Sequence, residues 1–415
     1  MSKLLIKNIG TLATPAGRSA RSGNEQGQIT YLHDAWITAQ DGIISGLSSG
    51  SVPEGDAFDE IIDAGGRLVT PGLVDAHTHL VFGGWRQNEL GLKLHGAGYL
   101  DILAMGGGIL STVRATREAD SDELARKAAA ALNEMLELGV TTCEAKSGYG
   151  LDIENELKQL AVVQRLDKEH EVDLVSTFLG AHAVPEEYKD DREGYIRLLT
   201  EELIPRAAGE GLAEFCDVFC EQGVFTAEES RRILEAGQRY GLKSKIHADE
   251  IESIGGTELC AELKSVSAEH LIVCRESGIK AMAQGGTTAC LLPATSFYLG
   301  ASYAPARAMI EAGVPVAVAT DFNPGSCPSL NIQLCMNLAC LKYRLTPEEM
   351  LTAVTLNGAA AICRADSIGS IERGKKADIV IWDAPDLDYL GYRMGSNLVN
   401  TVIKRGRIVI RRGIE

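Results

Sequence analysis

The run Asp75-Ala76-His77-Thr78-His79 closes the apolar stretch Leu68-Val69-Thr70-Pro71-Gly72-Leu73-Val74. Two histidines one residue apart on a strand face the same way, because side chains alternate between faces. At the end of a buried strand, that geometry lets two imidazoles grip one metal ion. Imidazole is a usual ligand of zinc and related ions. The competing reading, two histidines on the polar face of an edge strand, sits poorly with so apolar a lead-in. His182, His247, His270 and Asp321 also close apolar runs, and Glu250 follows three residues after His247. Five of the eight histidines thus fall at strand ends, a pattern that packing alone does not explain. The ligand set we select is His77, His79, His247 and Asp321. Three imidazoles and one carboxylate leave room for a water whose pKa the ion would lower. The fourth run ends in Glu221 rather than in a lysine that could be carbamylated to bridge two ions. One ion per subunit is therefore expected. His33, His95 and His170 lie in polar surroundings and read as surface or loop residues.

These residues need a scaffold that brings strand ends together. Eight strand candidates alternate with helix-like segments: Leu73–His79, Thr141–Lys146, Leu174–His182, Glu214–Glu221, Ser244–Glu250, Val266–His270, Thr288–Pro293 and Val314–Asp321. Helices are marked between them. Ser121-Asp122-Glu123 has a side-chain cap and an acidic first turn, with Gly139 to close it. Thr226-Ala227-Glu228-Glu229 reads as a capping box. Thr346-Pro347-Glu348-Glu349 places proline at the first helical position. Eight β/α units over about 300 residues predict an α/β fold, a (β/α)8 TIM barrel whose active site lies at the C-terminal strand ends. A doubly wound open sheet is the runner-up, but no G-x-G-x-x-G follows an early strand. Gly106-Gly107-Gly108 lacks that spacing and reads as a flexible loop over the barrel mouth. The first and last segments read as short strands that neither end could assemble into a core alone. Together they predict a small β-sandwich built from residues 1–66 and 366–415, flanking a barrel over 67–365. Residues 15–30 read as a mobile polar loop.

Composition narrows the class. The chain has 415 residues, a formal net charge of −17, 45% hydrophobic and 23% charged residues. That is an ordinary globular balance. The acidic charge argues against nucleic acid or an anionic membrane as partner. No stretch approaches a membrane span or a secretory h-region. The 10 cysteines lack CxxC spacing and read as reduced side chains of a cytoplasmic protein.

Leu68–His79 and Gly369-Ser370-Ile371-Glu372-Arg373-Gly374-Lys375-Lys376-Ala377-Asp378-Ile379-Val380 resemble the two ends of the amidohydrolase superfamily pattern. His247-x-x-Glu250 resembles its mononuclear, deaminase-like branch. More narrowly, several segments resemble the imidazolonepropionase family: Leu80–Arg86, Lys146-Ser147-Gly148-Tyr149-Gly150-Leu151, Phe178–His182, His247–Glu250 and Thr320–Ser326. The likeness runs over essentially the whole chain. It implies a metal-dependent hydrolase of histidine metabolism that opens the cyclic amide of 4-imidazolone-5-propanoate to give N-formimidoyl-L-glutamate. In that scheme Asp321 takes a proton from the attacking water. His270 polarises the carbonyl, and Glu250 binds the ring and passes a proton to the leaving nitrogen. The propanoate tail needs a cation in an acidic protein, and Arg86 offers a fork of donors. Tyr149, His182, Asn323, Gly325 and Ser326 resemble further substrate contacts, with Tyr99 as an additional candidate hydroxyl.

Zinc suits such a donor set, while iron, manganese or nickel could also occupy it. The family, together with the apolar segment Leu330–Leu345, points to a homodimer. Two alternatives stand beside this reading. A cytosine- or guanine-type deaminase would share the metal site and Glu250 but would not need Arg86. A noncatalytic scaffold relative would typically have lost ligands that this chain retains.

Overall fold

The computed structural model describes residues 2–52, 57–96 and 107–412. Tyr99 and Gly106 fall outside the described residues. Strands β1 (Lys3–Thr14), β2 (Thr30–Gln40), β3 (Ile43–Ser49), β4 (Glu60–Asp63) and β5 (Leu68–Pro71) come first in the chain. The barrel strands follow: β6 (Leu73–Asp75), β7 (Val140–Lys146), β8 (Asp173–Ala181), β9 (Phe215–Cys220), β10 (Lys243–Ala248), β11 (Ser267–His270), β12 (Thr288–Leu291) and β13 (Val316–Val318). Last come β14 (Ile379–Trp382), β15 (Val399–Lys404) and β16 (Arg407–Arg411).

Strands β6 to β13 pair in chain order, and their mapped ladders are parallel. All eight strand candidates are present, some shorter than the apolar runs suggested. The barrel closes at its mouth. Asp321 N donates to His77 O at 3.0 Å, His79 N donates to Phe322 O at 2.9 Å, and Thr78 bridges Phe322 in parallel register. The seam between first and last strand therefore runs through three of the proposed ligands.

The terminal segments form one mixed sheet in the order β16-β15-β14-β5-β1-β2-β3, with β4 added on β1. Ile43 at the start of β3 bridges to Lys376 beside β14, so the sheet folds back over its own core of Leu4, Ile6, Ile37, Val69, Ile379 and Ile403. Gly72 is the single residue between this sheet and the barrel. Its N–H donates to Asp378 O, and a Cβ there would lie 2.4 Å from Thr141 Oγ1. Only glycine allows so close an approach.

Helix boundaries follow the local signals with one change. The cap of the helix Ser121–Glu137 is Asp120, whose side chain accepts from Glu123 N, rather than Ser121. Gly139 after it adopts φ 96°. The helices Ala227–Arg239 and Pro347–Ala353 both open with capping boxes, on Thr226 and Thr346.

Residues 15–30 are not the free loop their polarity suggested. The buried Gln26 side chain exchanges hydrogen bonds with both backbone groups of Val316 at 3.0 Å, as a neighbouring strand would. Arg21 and Asn357 are tied in the same way. Polar side chains here replace strand pairing at the barrel floor, which composition cannot distinguish from solvation. The apolar helix Ile332–Lys342 is mostly buried within the chain, so its sequence needs no second subunit to explain it. Among the described residues no helix is long and apolar enough to cross a membrane. All ten cysteines are free, most of them buried.

Candidate active site

The strand ends deliver their side chains to one place. Donor atoms of His77, His79 and His247 lie within 4.8 Å of one another, and those of His77, His270 and Asp321 do likewise. His77 Nε2 and His79 Nε2 each stand 3.4 Å from Asp321 Oδ1. Thr295 Oγ1 donates to the other oxygen, Oδ2, at 2.6 Å. That bond turns Oδ1 towards the imidazoles. Asp75, behind the histidines, accepts from Thr320 N at 3.0 Å and Thr320 Oγ1 at 2.6 Å. It thereby fixes the residue before Asp321.

His77 Nε2, His247 Nε2 and Asp321 Oδ1 are buried and have no hydrogen-bond partner. Orphaned buried polar atoms are rare and costly. Three of them converging from three strands fit a bound cation. The field agrees. Burial disfavours a charged His77, yet Asp321 and Glu269 outweigh it and lift its pKa to about 9. A cation among the same groups would meet the same attraction. Burial instead lowers His79 to about 4 and His270 to about 3, leaving neutral imidazoles. The backbone is strained here, with φ 68° at His270, 58° at Asp321 and 53° at Asp249. Non-glycine residues in this region cluster at functional sites.

Glu250 Oε2 lies 3.7 Å from His270 Nε2. Burial raises its carboxyl to about 8, with Asp321 and Glu221 adding to the effect. Glu221 accepts from Ile251 N at 2.8 Å and Glu252 N at 3.0 Å, so it holds the turn that presents Glu250. His182 stacks on His79 with ring centroids 4.9 Å apart and 12° between planes, and Tyr149 lies 5.3 Å from His182. Glu156 builds the turn beneath Tyr149 by accepting from Gly148, Gly150 and Leu151 N–H groups.

Arg86 reaches the same mouth. Its Nη1 end packs on Gly325, where a Cβ would lie 2.2 Å away. Its Nε and Nη2 face Glu89 at 2.9–3.1 Å. Glu89 also accepts from Gly108 N at 2.7 Å. Asn323 and Ser326 are bonded within the turn after β13. Asn323 Oδ1 accepts from Gly325 N and Ser326 N, and its Nδ2 donates to Asp321 O and Ser326 Oγ. These two shape the turn after β13.

Glu89, Thr295, Glu221, Glu156, and the carboxylates Glu269 and Asp217 behind His77 and His247 carry no motif. Thr295, Glu269 and Asp217 are marked only by polarity inside apolar runs, and Glu89 and Glu156 lie in polar runs that give no signal. Glu269 Oε2 lies 2.8 Å from His77 Nδ1. Asp217 Oδ2 lies 3.0 Å from His247 Nδ1, without the alignment of a full hydrogen bond.

The profile of the amidohydrolase family matches residues 68–409. The imidazolonepropionase of Alkaliphilus metalliredigens (strain QYMF) is 52% identical over 418 residues, covering 100% of this chain and 99% of that one. That of Geobacillus sp. (strain WCH70) is 49% identical over 420 residues, with 100% and 99% covered. Among solved structures, a triazine hydrolase from Arthrobacter aurescens aligns with a TM-score of 0.78 at 18% identity, over 99% of this chain and 95% of that one. A zinc-bound adenosine deaminase from Xanthomonas campestris aligns at 0.74 with 20% identity, over 99% and 93%. At such identities the structural likeness speaks for the fold alone. The sequence likeness goes further: the chain belongs to the amidohydrolase family, in its imidazolonepropionase branch.

Proposed function

We propose that this chain hydrolyses 4-imidazolone-5-propanoate to N-formimidoyl-L-glutamate, in histidine degradation, with one metal ion held by His77, His79, His247 and Asp321. The convergence of the partnerless His77 Nε2, His247 Nε2 and Asp321 Oδ1, with His79 Nε2 3.4 Å from Asp321 Oδ1, supports the reading. Zinc is the ion we favour for three imidazoles and a carboxylate, with iron the alternative. A bound ion lowers the pKa of water and polarises a carbonyl oxygen.

The protein's own groups do the rest. Asp321, oriented by the bond Thr295 donates to its Oδ2, takes the proton of the attacking water. His270 is neutral through burial, so its N–H can donate to the carbonyl oxygen as negative charge develops there. Glu250, whose carboxyl burial pushes up to about 8, holds a proton at neutral pH for the departing ring nitrogen. Arg86 receives the propanoate carboxylate, and Glu89 orients its fork. His182 and Tyr149 wall the ring, and Asn323, Gly325 and Ser326 contact the substrate from the turn that Asn323 holds together. We also propose a cytoplasmic setting, supported by ten thiols with no disulfide. The homodimer is proposed from the family alone.

Metal analysis of the purified protein, combined with imidazolonepropionate consumption and ammonia release, tests the reading. Ring opening without ammonia supports it. Ammonia release from a cytosine- or guanine-type ring, with imidazolonepropionate untouched, refutes it.

A further inference from the structure

Beneath the histidine layer, above an apolar barrel floor that includes Val74, Val175, Phe215 and Ala317, the interior holds a layer of charge. Glu144 and Lys146 on β7, Asp217 on β9, Lys245 on β10 and Glu269 on β11 are all completely buried. They form a chain of alternating sign. It starts at His247 Nδ1, 3.0 Å from Asp217 Oδ2, which lies 2.8 Å from Lys146 Nζ. Lys146 stands 3.0 Å from Glu144 Oε2, and Glu144 Oε1 stands 2.8 Å from Lys245 Nζ. Lys245 lies 3.5 Å from Glu269 Oε1, and Glu269 Oε2 lies 2.8 Å from His77 Nδ1. The chain thus begins on one imidazole and ends on another. Hydroxyls of Thr177 and Ser267 donate to Glu144 and Glu269, each at 2.5 Å.

Barrel interiors are usually filled by bulky apolar side chains. Buried charge is costly unless paired, and a well-packed apolar layer would usually be no less stable. This layer therefore calls for a reason other than stability.

We propose that Lys146, Glu144 and Lys245 are positioning residues for the metal site. They hold Asp217 and Glu269 so that His247 and His77 each keep a proton on Nδ1 and turn Nε2 to the ion. This rests on the reading of His77 and His247 as ligands.

The test is the zinc dissociation constant, measured by competition with a chromophoric chelator. Glu144→Gln and Lys245→Met touch neither imidazole. Each is expected to weaken zinc binding by about 10- to 100-fold, the usual effect of losing such outer support. Lys245→Arg should recover most of the loss. A merely structural role would lower the unfolding midpoint of the metal-free protein and leave the dissociation constant unchanged. Should neither variant fold, the ¹⁵N histidine spectrum of the zinc-loaded parent decides. His77 and His247 must both show a protonated Nδ1, and ligation through Nδ1 at either one overturns the proposal. If the parent binds no zinc, or His77→Ala binds it as well as the parent, the ligand reading itself has failed. If His77→Ala loses zinc while Glu144→Gln and Lys245→Met bind it as the parent does, only the positioning role has failed.

Discussion

Replacing Arg86 tests the substrate assignment most directly, because no other part of the site is asked to bind the propanoate tail. Its guanidinium is divided: Nε and Nη2 face Glu89, and Nη1 lies against Gly325. A lysine ammonium is a point donor and cannot satisfy Glu89 and a carboxylate together in that geometry. A hydrogen bond to a charged group contributes about 1.5–3 kcal/mol, so Arg86→Lys should raise KM roughly 10- to 100-fold. Arg86→Met also removes the cation and should cost about 2–5 kcal/mol in kcat/KM. If the tail contact is equal in ground and transition states, kcat stays near the parent value. Glu89 introduces a second effect. It is 2% exposed, and stripping its arginine breaks a buried pair, which typically destabilises a fold by about 3–5 kcal/mol. The double variant Arg86→Met/Glu89→Gln separates the two, since it should regain stability without regaining KM. The assay is steady-state kinetics on imidazolonepropionate and on a tailless imidazolone, with denaturant unfolding alongside. The tailless compound should be a poor substrate for the parent and nearly indifferent to the substitution. Unchanged KM for the natural substrate in both single variants, or an equal loss with the tailless ring, would refute the carboxylate clamp.

His77→Ala and His247→Ala should each lose the metal and the activity while remaining folded, since both lie at the barrel mouth; full metal occupancy by elemental analysis would sink the ligand assignment. Glu250→Gln keeps shape and hydrogen bonding but has no proton to pass, so turnover should fall by about 10²-fold or more with the metal retained. Near-parental turnover would remove Glu250 from the mechanism. Gly325→Ala would place a Cβ 2.2 Å from Arg86 Nη1, and should raise KM by displacing the guanidinium while leaving metal content intact. Normal kinetics in that variant would mean that Arg86 does not work from the observed position.

The parts legible in the sequence are those written in local periodicity. His77 and His79 sit one residue apart beyond a short apolar strand, and Asp321 ends another, so the barrel and the face where these side chains converge could be read from spacing. What escaped reading is polar chemistry with no period. Gln26 imitates a strand neighbour of Val316 by side-chain amide alone, so a packed connection looked like a mobile one. Asp120 rather than Ser121 caps its helix, because both side chains can serve and only the backbone path decides between them. Asn323 and Ser326, expected as substrate contacts, also hold their own turn together, a role their spacing does not reveal. Glu89 stood three residues from Arg86 without a signal, since a carboxylate beside an arginine is ordinarily a surface pair. The charged layer did leave a trace, in Glu144-x-Lys146 and Lys245-x-His247. Those charges occupy the inward positions of strands that are otherwise apolar, and the alternation that reveals a barrel also makes such exceptions visible.

The geometry of the proposed ligands is set by the closure of the barrel more than by loops. The bonds Asp321 N to His77 O and His79 N to Phe322 O belong to the proposed ligands themselves or their neighbours, and Asp75 locks Thr320 from the opposite side of the seam. Backbone hydrogen bonds between the first and last strands therefore bring Asp321 Oδ1 to 3.4 Å from two imidazoles. His247 and His270 enter from neighbouring strands β10 and β11, whose register sets Ala248 beside His270. The proposed substrate side is built on different terms. Arg86, Tyr149 and Gly325 stand on turns, each stiffened by a buried polar side chain: Glu89, Glu156 or Asn323. The consequence is a division of labour that mutations should respect. Changes along the seam should move metal affinity, and changes in the turns should move substrate affinity. The charged layer beneath belongs with the seam, because its two ends are the imidazoles of His77 and His247.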